Sequence, residues 1–216
     1  MVPSRTGRDK ETNVIFYPYS VPDGTFFILH SFKMSQNDFT KVKEYTISIK
    51  RANLVALFLI IPIALFYIVP FYIVWGKNIF VCIKSIRLLW ALLSIPLGII
   101  VHELSHGVIW AMFSNKGFRS IRFGIMWEYL TPYCHCSEPL KVWQYIFGGL
   151  APLFIMGFLP GICALITGNA FLMFIAMFFT WAAGGDIQAV WMLRKFKMNQ
   201  HVIDHPVELG FIVVDA

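Results

Sequence analysis

The sequence predicts an all-α membrane protein of four transmembrane helices, with a short membrane-associated β element in the loop between helices two and three. Three observations carry that expectation. Four apolar stretches are each long enough to span the roughly 30 Å hydrocarbon core of a bilayer. Charged residues make up 14% of the 216, against about 25% in ordinary soluble domains, while 57% are hydrophobic and the mean hydropathy is +0.65. The Lys and Arg behind the net charge of +6 gather beside the apolar stretches, as the positive-inside rule describes. That placement makes the lipid bilayer the partner of the basic residues and argues against nucleic acid.

Residues 1–52 read as a cytosolic N-terminal extension with eight Lys or Arg and five Asp or Glu. The stretch 17–24 is rich in turn formers. Residues 26–32 and 45–49 read as short strands, and 35–41 starts like a helix. No signal peptide is evident, so the first span is expected to stay in the membrane uncleaved.

The four-helix membrane domain is read over 53–193. Its first span, 53–75, is an uncharged run of 23 residues with Pro62 and Pro70 inside it. A connector at 76–87 carries Lys77, Lys84 and Arg87 into the second span, 88–113. The loop 114–144 follows. Within it Ile121, Phe123, Ile125, Trp127 and Tyr129 alternate with Arg122, Gly124, Met126 and Glu128, the period of a strand with one apolar face. The third span, 145–167, holds Gly148, Gly149, Gly157 and Gly161, which permit close helix contact. Gly168-Asn169 turns the chain into the fourth span, 170–193. A cytosolic C-terminal tail, 194–216, ends in an expected strand at 210–214. With both termini cytosolic, 15 Lys and Arg fall on the inside and three, those of the connector, on the outside. A bacterial cytoplasmic membrane suits such uninterrupted apolar helices.

His102 and His106 lie four apart, so on a helix they share one face. Glu103 stands between them, giving the H-E-x-x-H pattern of zinc metalloproteases. Spans one and three hold no charged or imidazole group, whereas span four holds Asp186. A carboxylate at mid-bilayer costs about 2.5–3.5 kcal/mol on insertion scales. Glu103 and Asp186 therefore call for a compensating partner, and a divalent cation is the natural one. His106 and Asp186 each lie seven residues before the end of their spans. At about 1.5 Å per residue, both sit roughly 10 Å below the cytosolic surface. Three protein ligands with one open position is the arrangement of a catalytic zinc. The reading is one Zn2+ per chain, held by His102, His106 and Asp186. Glu103 is the catalytic base, which takes a proton from the zinc-activated water and passes it to the leaving amine.

Other titratable clusters read more plainly. Cys134 and Cys136 flank His135 in what reads as a loop, and cysteines one residue apart lack the usual zinc-ligand spacing. Cys82 and Cys163 sit in or beside apolar segments and form no evident disulfide framework. His201 and His205 flank Asp204 in what reads as a turn before Pro206, and His30 is unassigned.

In order along the chain stand His102-Glu-Leu-Ser-His106-Gly, Thr131-Pro-Tyr-Cys-His-Cys136, Gly148-Gly-Leu-Ala-Pro152, Gly184-Gly-Asp186 and Asp204-His-Pro206. Through this set the chain, from about Ala52 onward, resembles the putative zincin peptidase family of small bacterial membrane proteins. It resembles more distantly the site-2 protease class of intramembrane metalloproteases. That second likeness implies zinc held by two His of one span and an Asp of a later one. It also implies cleavage of membrane-embedded or membrane-proximal protein and peptide substrates, presented by edge pairing on the strand at 120–130. The chain departs from the site-2 pattern at Asp186, which has Gly185 before it and Ile187, not Gly, after it. The functional expectation is a zinc-dependent intramembrane endopeptidase. Its alternative is a non-catalytic zinc-binding membrane protein that binds or regulates single-span partners and is indifferent to Glu103. A transporter fits poorly, since no internal repeat or second polar helix lines a pathway. The sequence assigns no oligomeric state.

Overall fold

A computed structural model describes residues 43–76, 88–127, 131–205 and 209–214. The segments expected at 17–24, 26–32 and 35–41, and most of the connector at 76–87, lie outside the described residues, as does His30. Three helices are long and apolar enough to cross a membrane: Lys50–Trp75, Leu92–Phe113 and Val142–Thr167.

The first, α1 (Ile49–Trp75), starts where the Ser48 hydroxyl accepts from the Arg51 N–H at 3.4 Å and stops at Gly76. Most of its flank is exposed and apolar, which suits lipid. Helix α2 (Leu88–Phe113) carries the H-E-x-x-H segment. The third span is a composite of α3 (Val142–Pro152), a π-helical turn over Leu153–Phe158 and α4 (Leu159–Thr167). The wide turn follows Pro152, which has no N–H to continue the α ladder. Gly168 then takes φ 69°, a conformation that favours glycine, and ends the span. The Asn169 side-chain carbonyl oxygen caps the next helix, accepting from the N–H groups of Phe171 at 2.9 Å and Leu172 at 3.2 Å.

The stretch read from sequence as one span, 170–193, is broken. It divides into α5 (Ala170–Ala182) and α6 (Gly184–Leu193), bent by 46° at Ala183. The cause is local: Gly184-Gly185 carry no side chains to hold the helix straight and lower its propensity. Asp186 thus sits in the first turn of a new helix and not deep along a straight one.

The described residues form two sheets. Between α2 and α3, β2 (Ile121–Met126) and β3 (Thr131–Cys136) form an antiparallel hairpin in which Phe123 faces Cys134 and Arg122 faces His135. Cys134, His135 and Cys136 therefore end a strand and do not lie in a loop. The second sheet is antiparallel in the order β1 (Lys43–Ile47), β6 (Leu209–Val214), β5 (His201–Asp204), β4 (Leu140–Lys141). It joins residues from the N-terminal extension, the loop and the C-terminal tail. His201–Asp204 is accordingly strand, not turn.

Two buried clusters hold these parts together. Tyr67, Phe71, Ala164, Met173 and Ala176 pack α1 against α4 and α5, and the Tyr67 hydroxyl meets Thr180 Oγ1 at 2.7 Å. The larger cluster joins the end of α2, the start of α3 and both sheets through Trp110, Ile121, Cys136, Val142, Tyr145, Leu193, Val202 and Phe211. It forms the floor beneath the site.

Candidate metal centre

His102 and His106 are buried on one face of α2, their rings 5.1 Å apart. Asp186 approaches from the first turn of α6. Its Oδ2 lies 3.2 Å from His102 Nε2 and its Oδ1 lies 3.4 Å from His106 Nε2. Among the described residues, these three form a group able to hold a metal ion, with one ligand atom from each within 4.8 Å of the others. Gly184 makes the approach possible: its backbone lies against Ala56 and Leu59 of α1, where a large side chain would not fit. The positive end of the helix dipole at the start of α6 also favours a carboxylate in its first turn.

The donor set suits a cation. His106 Nδ1–H donates to the Gly148 carbonyl at 2.8 Å, which fixes the hydrogen on that nitrogen. In the neutral ring Nε2 is then bare and points its lone pair at a carboxylate oxygen. Two lone pairs at 3.4 Å repel unless a proton or a metal ion lies between them. Two imidazole nitrogens and one carboxylate, with room for a fourth group, are zinc's preferred catalytic ligands. His102 has no such backing. Its Nδ1 is buried without a hydrogen-bond partner among the described residues, and its ring faces Phe179.

Glu103 is half-buried and makes no hydrogen bond among the described residues. Ser105, inside the motif, is occupied with the Val101 carbonyl at 2.7 Å. Gly107 shares the face of Glu103 one turn on, and the Phe123 ring of the hairpin rests against it. The hairpin therefore lies over the Glu103 side of α2.

The Cys134 and Cys136 thiols are both pushed up, first by burial, Cys136 to about 11.

Two residues that matter here were given no role at the site by the sequence, Gly148 being read only as a close helix contact. Trp110 stacks on His106 with centroids 5.2 Å apart and donates Nε1–H to the Tyr145 carbonyl at 3.1 Å. Gly148 supplies the carbonyl that orients His106, and its missing side chain admits the Trp110 ring. Periodicity cannot distinguish such a Trp or Gly from ordinary helix packing.

An apolar helical bundle with a His-His-Asp cluster at one end defines a membrane protein with a candidate metal centre. Residues 95–200 match the profile of a family described as Putative zincin peptidase. A zincin is a zinc metallopeptidase, so the family description points to that class of enzyme and to zinc. The matched stretch contains His102, Glu103, His106 and Asp186 and ends before Asp204. Comparison with curated proteins and with solved structures gives no match.

Proposed function

We propose that the protein is a zinc-dependent intramembrane endopeptidase acting on membrane-embedded or membrane-proximal segments of other proteins. One observation carries the reading: ligand atoms, one from each of His102, His106 and Asp186, converge within 4.8 Å among apolar helices. Isolated polar groups in such a setting are costly, and a shared cation offsets that cost. In this reading α5 and α6 together make the fourth span, both termini are cytosolic, and the membrane is a bacterial cytoplasmic one.

His102, His106 and Asp186 hold one zinc ion. When bound, zinc supplies Lewis acidity, lowering the pKa of water towards ~7 and polarising a scissile carbonyl. Glu103 takes the proton from the attacking water and delivers it to the leaving amine, and a side chain with no hydrogen bond to break is available for that work. The Gly148 carbonyl keeps His106 in the one tautomer that offers Nε2. The β2–β3 hairpin lies at the membrane surface beside Glu103. Its open edge offers backbone donors and acceptors to an unwound substrate strand.

Zinc content and cleavage of a single-span substrate, measured on detergent-purified protein, test this. Wild type carries one zinc and cleaves; His102→Ala and Asp186→Ala lose zinc; Glu103→Gln keeps zinc and loses cleavage. A Glu103→Gln protein that cleaves at the wild-type rate overturns the assignment. Full zinc with no Glu103-dependent cleavage supports instead the non-catalytic zinc-binding reading.

A further inference from the structure

The two motifs left without a role, Cys134-His135-Cys136 and the Asp204 segment, meet in the structure at one carboxylate. Asp204, at the end of β5, has a side chain that is 14% exposed. Its Oδ2 accepts from His135 Nδ1–H at 3.1 Å and from the Cys136 N–H at 3.4 Å. Its Oδ1 accepts the Tyr145 hydroxyl at 2.7 Å. It therefore fastens two segments, the hairpin and the first turn of α3, to the C-terminal sheet that carries it.

Tyr145 extends this junction to the metal centre. Its ring stacks on Trp110 with centroids 5.2 Å apart, and Trp110 stacks in turn on the His106 imidazole at 5.2 Å. The rings are nearly parallel, inclined by 28° and 18°. Trp110 is held at its edge and on its face: its Nε1–H is bonded to the Tyr145 carbonyl and its ring lies on Gly148. A continuous column of contacts thus runs from the Asp204 carboxylate through Tyr145 and Trp110 to His106.

We infer that Asp204 is a positioning residue for the metal centre, setting the orientation of the His106 ring through Tyr145 and Trp110. The inference rests on the metal-site part of the proposed function and extends it beyond the family's matched stretch, which ends at residue 200. Asp204 touches neither metal nor substrate. Its effect is to hold one ligand ring at the angle that Nε2 requires, as outer partners of ligating histidines do.

Cobalt(II) alone, titrated into metal-free protein in detergent, provides a readout independent of cleavage, because its visible absorption reports ligand geometry. Asp204→Asn and Tyr145→Phe are each expected to weaken cobalt affinity by up to about 10-fold, the low end of what a directly bonded partner costs, and to shift the band in the same sense. The double variant is expected to be no weaker than either single one, because both cut the same column. Tyr67→Phe is the control: it deletes a comparable buried hydroxyl contact, with Thr180, away from the centre. It is expected to lower thermal stability and leave the cobalt spectrum unchanged. Should Asp204→Asn not fold, Tyr145→Phe, which removes one oxygen, decides alone. Wild-type affinity and spectrum in Tyr145→Phe and Asp204→Asn overturn the inference while the metal site stands; so do independent, additive effects of the two. A wild-type protein that binds no cobalt overturns the metal-site reading itself.

Discussion

The His106 imidazole gives its Nδ1 hydrogen to the Gly148 carbonyl, and that bond determines which nitrogen faces Asp186. Gly148 cannot be exchanged freely, because a methyl group there would run into the Trp110 ring, which is itself held by Tyr145 and His106. Gly148→Ala is therefore expected to destabilise the protein by about 1–3 kcal/mol through overpacking and to weaken zinc binding. Thermal unfolding and a competitive zinc titration check both. Outside the spans, Glu138 fastens the end of α2 to the loop. It accepts from the Ser114 hydroxyl at 2.8 Å and the Lys116 N–H at 3.2 Å, with the Lys116 ammonium 3.7 Å away. Burial pushes its carboxyl up, but these donors more than offset it and hold the pKa below its usual value. The folded state thus favours the ionised form. That stabilisation is complete above the ordinary glutamate pKa and is lost as pH falls through the depressed one. Glu138→Gln should cost on the order of 1 kcal/mol at pH 7 and nothing measurable once wild-type Glu138 is itself protonated. Unfolding midpoints of the two proteins across acidic pH provide the comparison.

At the scale of elements, the break at Ala183 matters most, because it turns the carboxylate of α6 toward the histidines of α2. Gly184 lies 3.6 Å, by the position a Cβ would take, from Ala56 and Leu59, an ordinary contact. Gly184→Ala should then be tolerated with near-wild-type zinc content. Gly184→Leu should press α6 away from α1, withdraw Asp186 and empty the site, as metal analysis would reveal. The meeting of His102, His106 and Asp186 was legible in the sequence: H-E-x-x-H has a spacing with a chemical reason, and a lone Asp in an apolar stretch is too costly to stand there without a partner. The break was less legible, since hydropathy reads α5 and α6 as one run and the glycine pair signals close packing as readily as a bend. The hairpin showed its first strand through alternation at 121–126. Its second was hidden, because Thr131-Pro-Tyr-Cys-His-Cys136 has no apolar period and takes its register from β2. The pairing of His135 with Asp204 was invisible: the two lie 69 residues apart, and only the folded sheet brings them together.

For the molecule as a whole, the metal centre doubles as a clasp. In the proposed reading two of its ligands, His102 and His106, belong to α2 and the third, Asp186, to α6, elements that otherwise meet largely through α3 and α5. Without a metal ion, two imidazoles and a carboxylate lie together in a buried, apolar setting, where lone-pair repulsion opposes closure unless a proton takes the metal's place. A ligand that binds only the folded state stabilises it by RT ln(1 + [L]/Kd), about 2.7 kcal/mol at a hundredfold excess over Kd. Stripping the metal with a chelator should therefore lower the unfolding temperature of the detergent-solubilised protein by several degrees, and added zinc should restore it. Asp186→Ala should start at the lower temperature and respond to neither treatment. Glu103→Gln, which leaves all three ligands in place, should respond as wild type does. An Asp186→Ala protein that still gains stability from zinc would show that the clasp closes without α6, and the shared site would have to be redrawn around α2 alone.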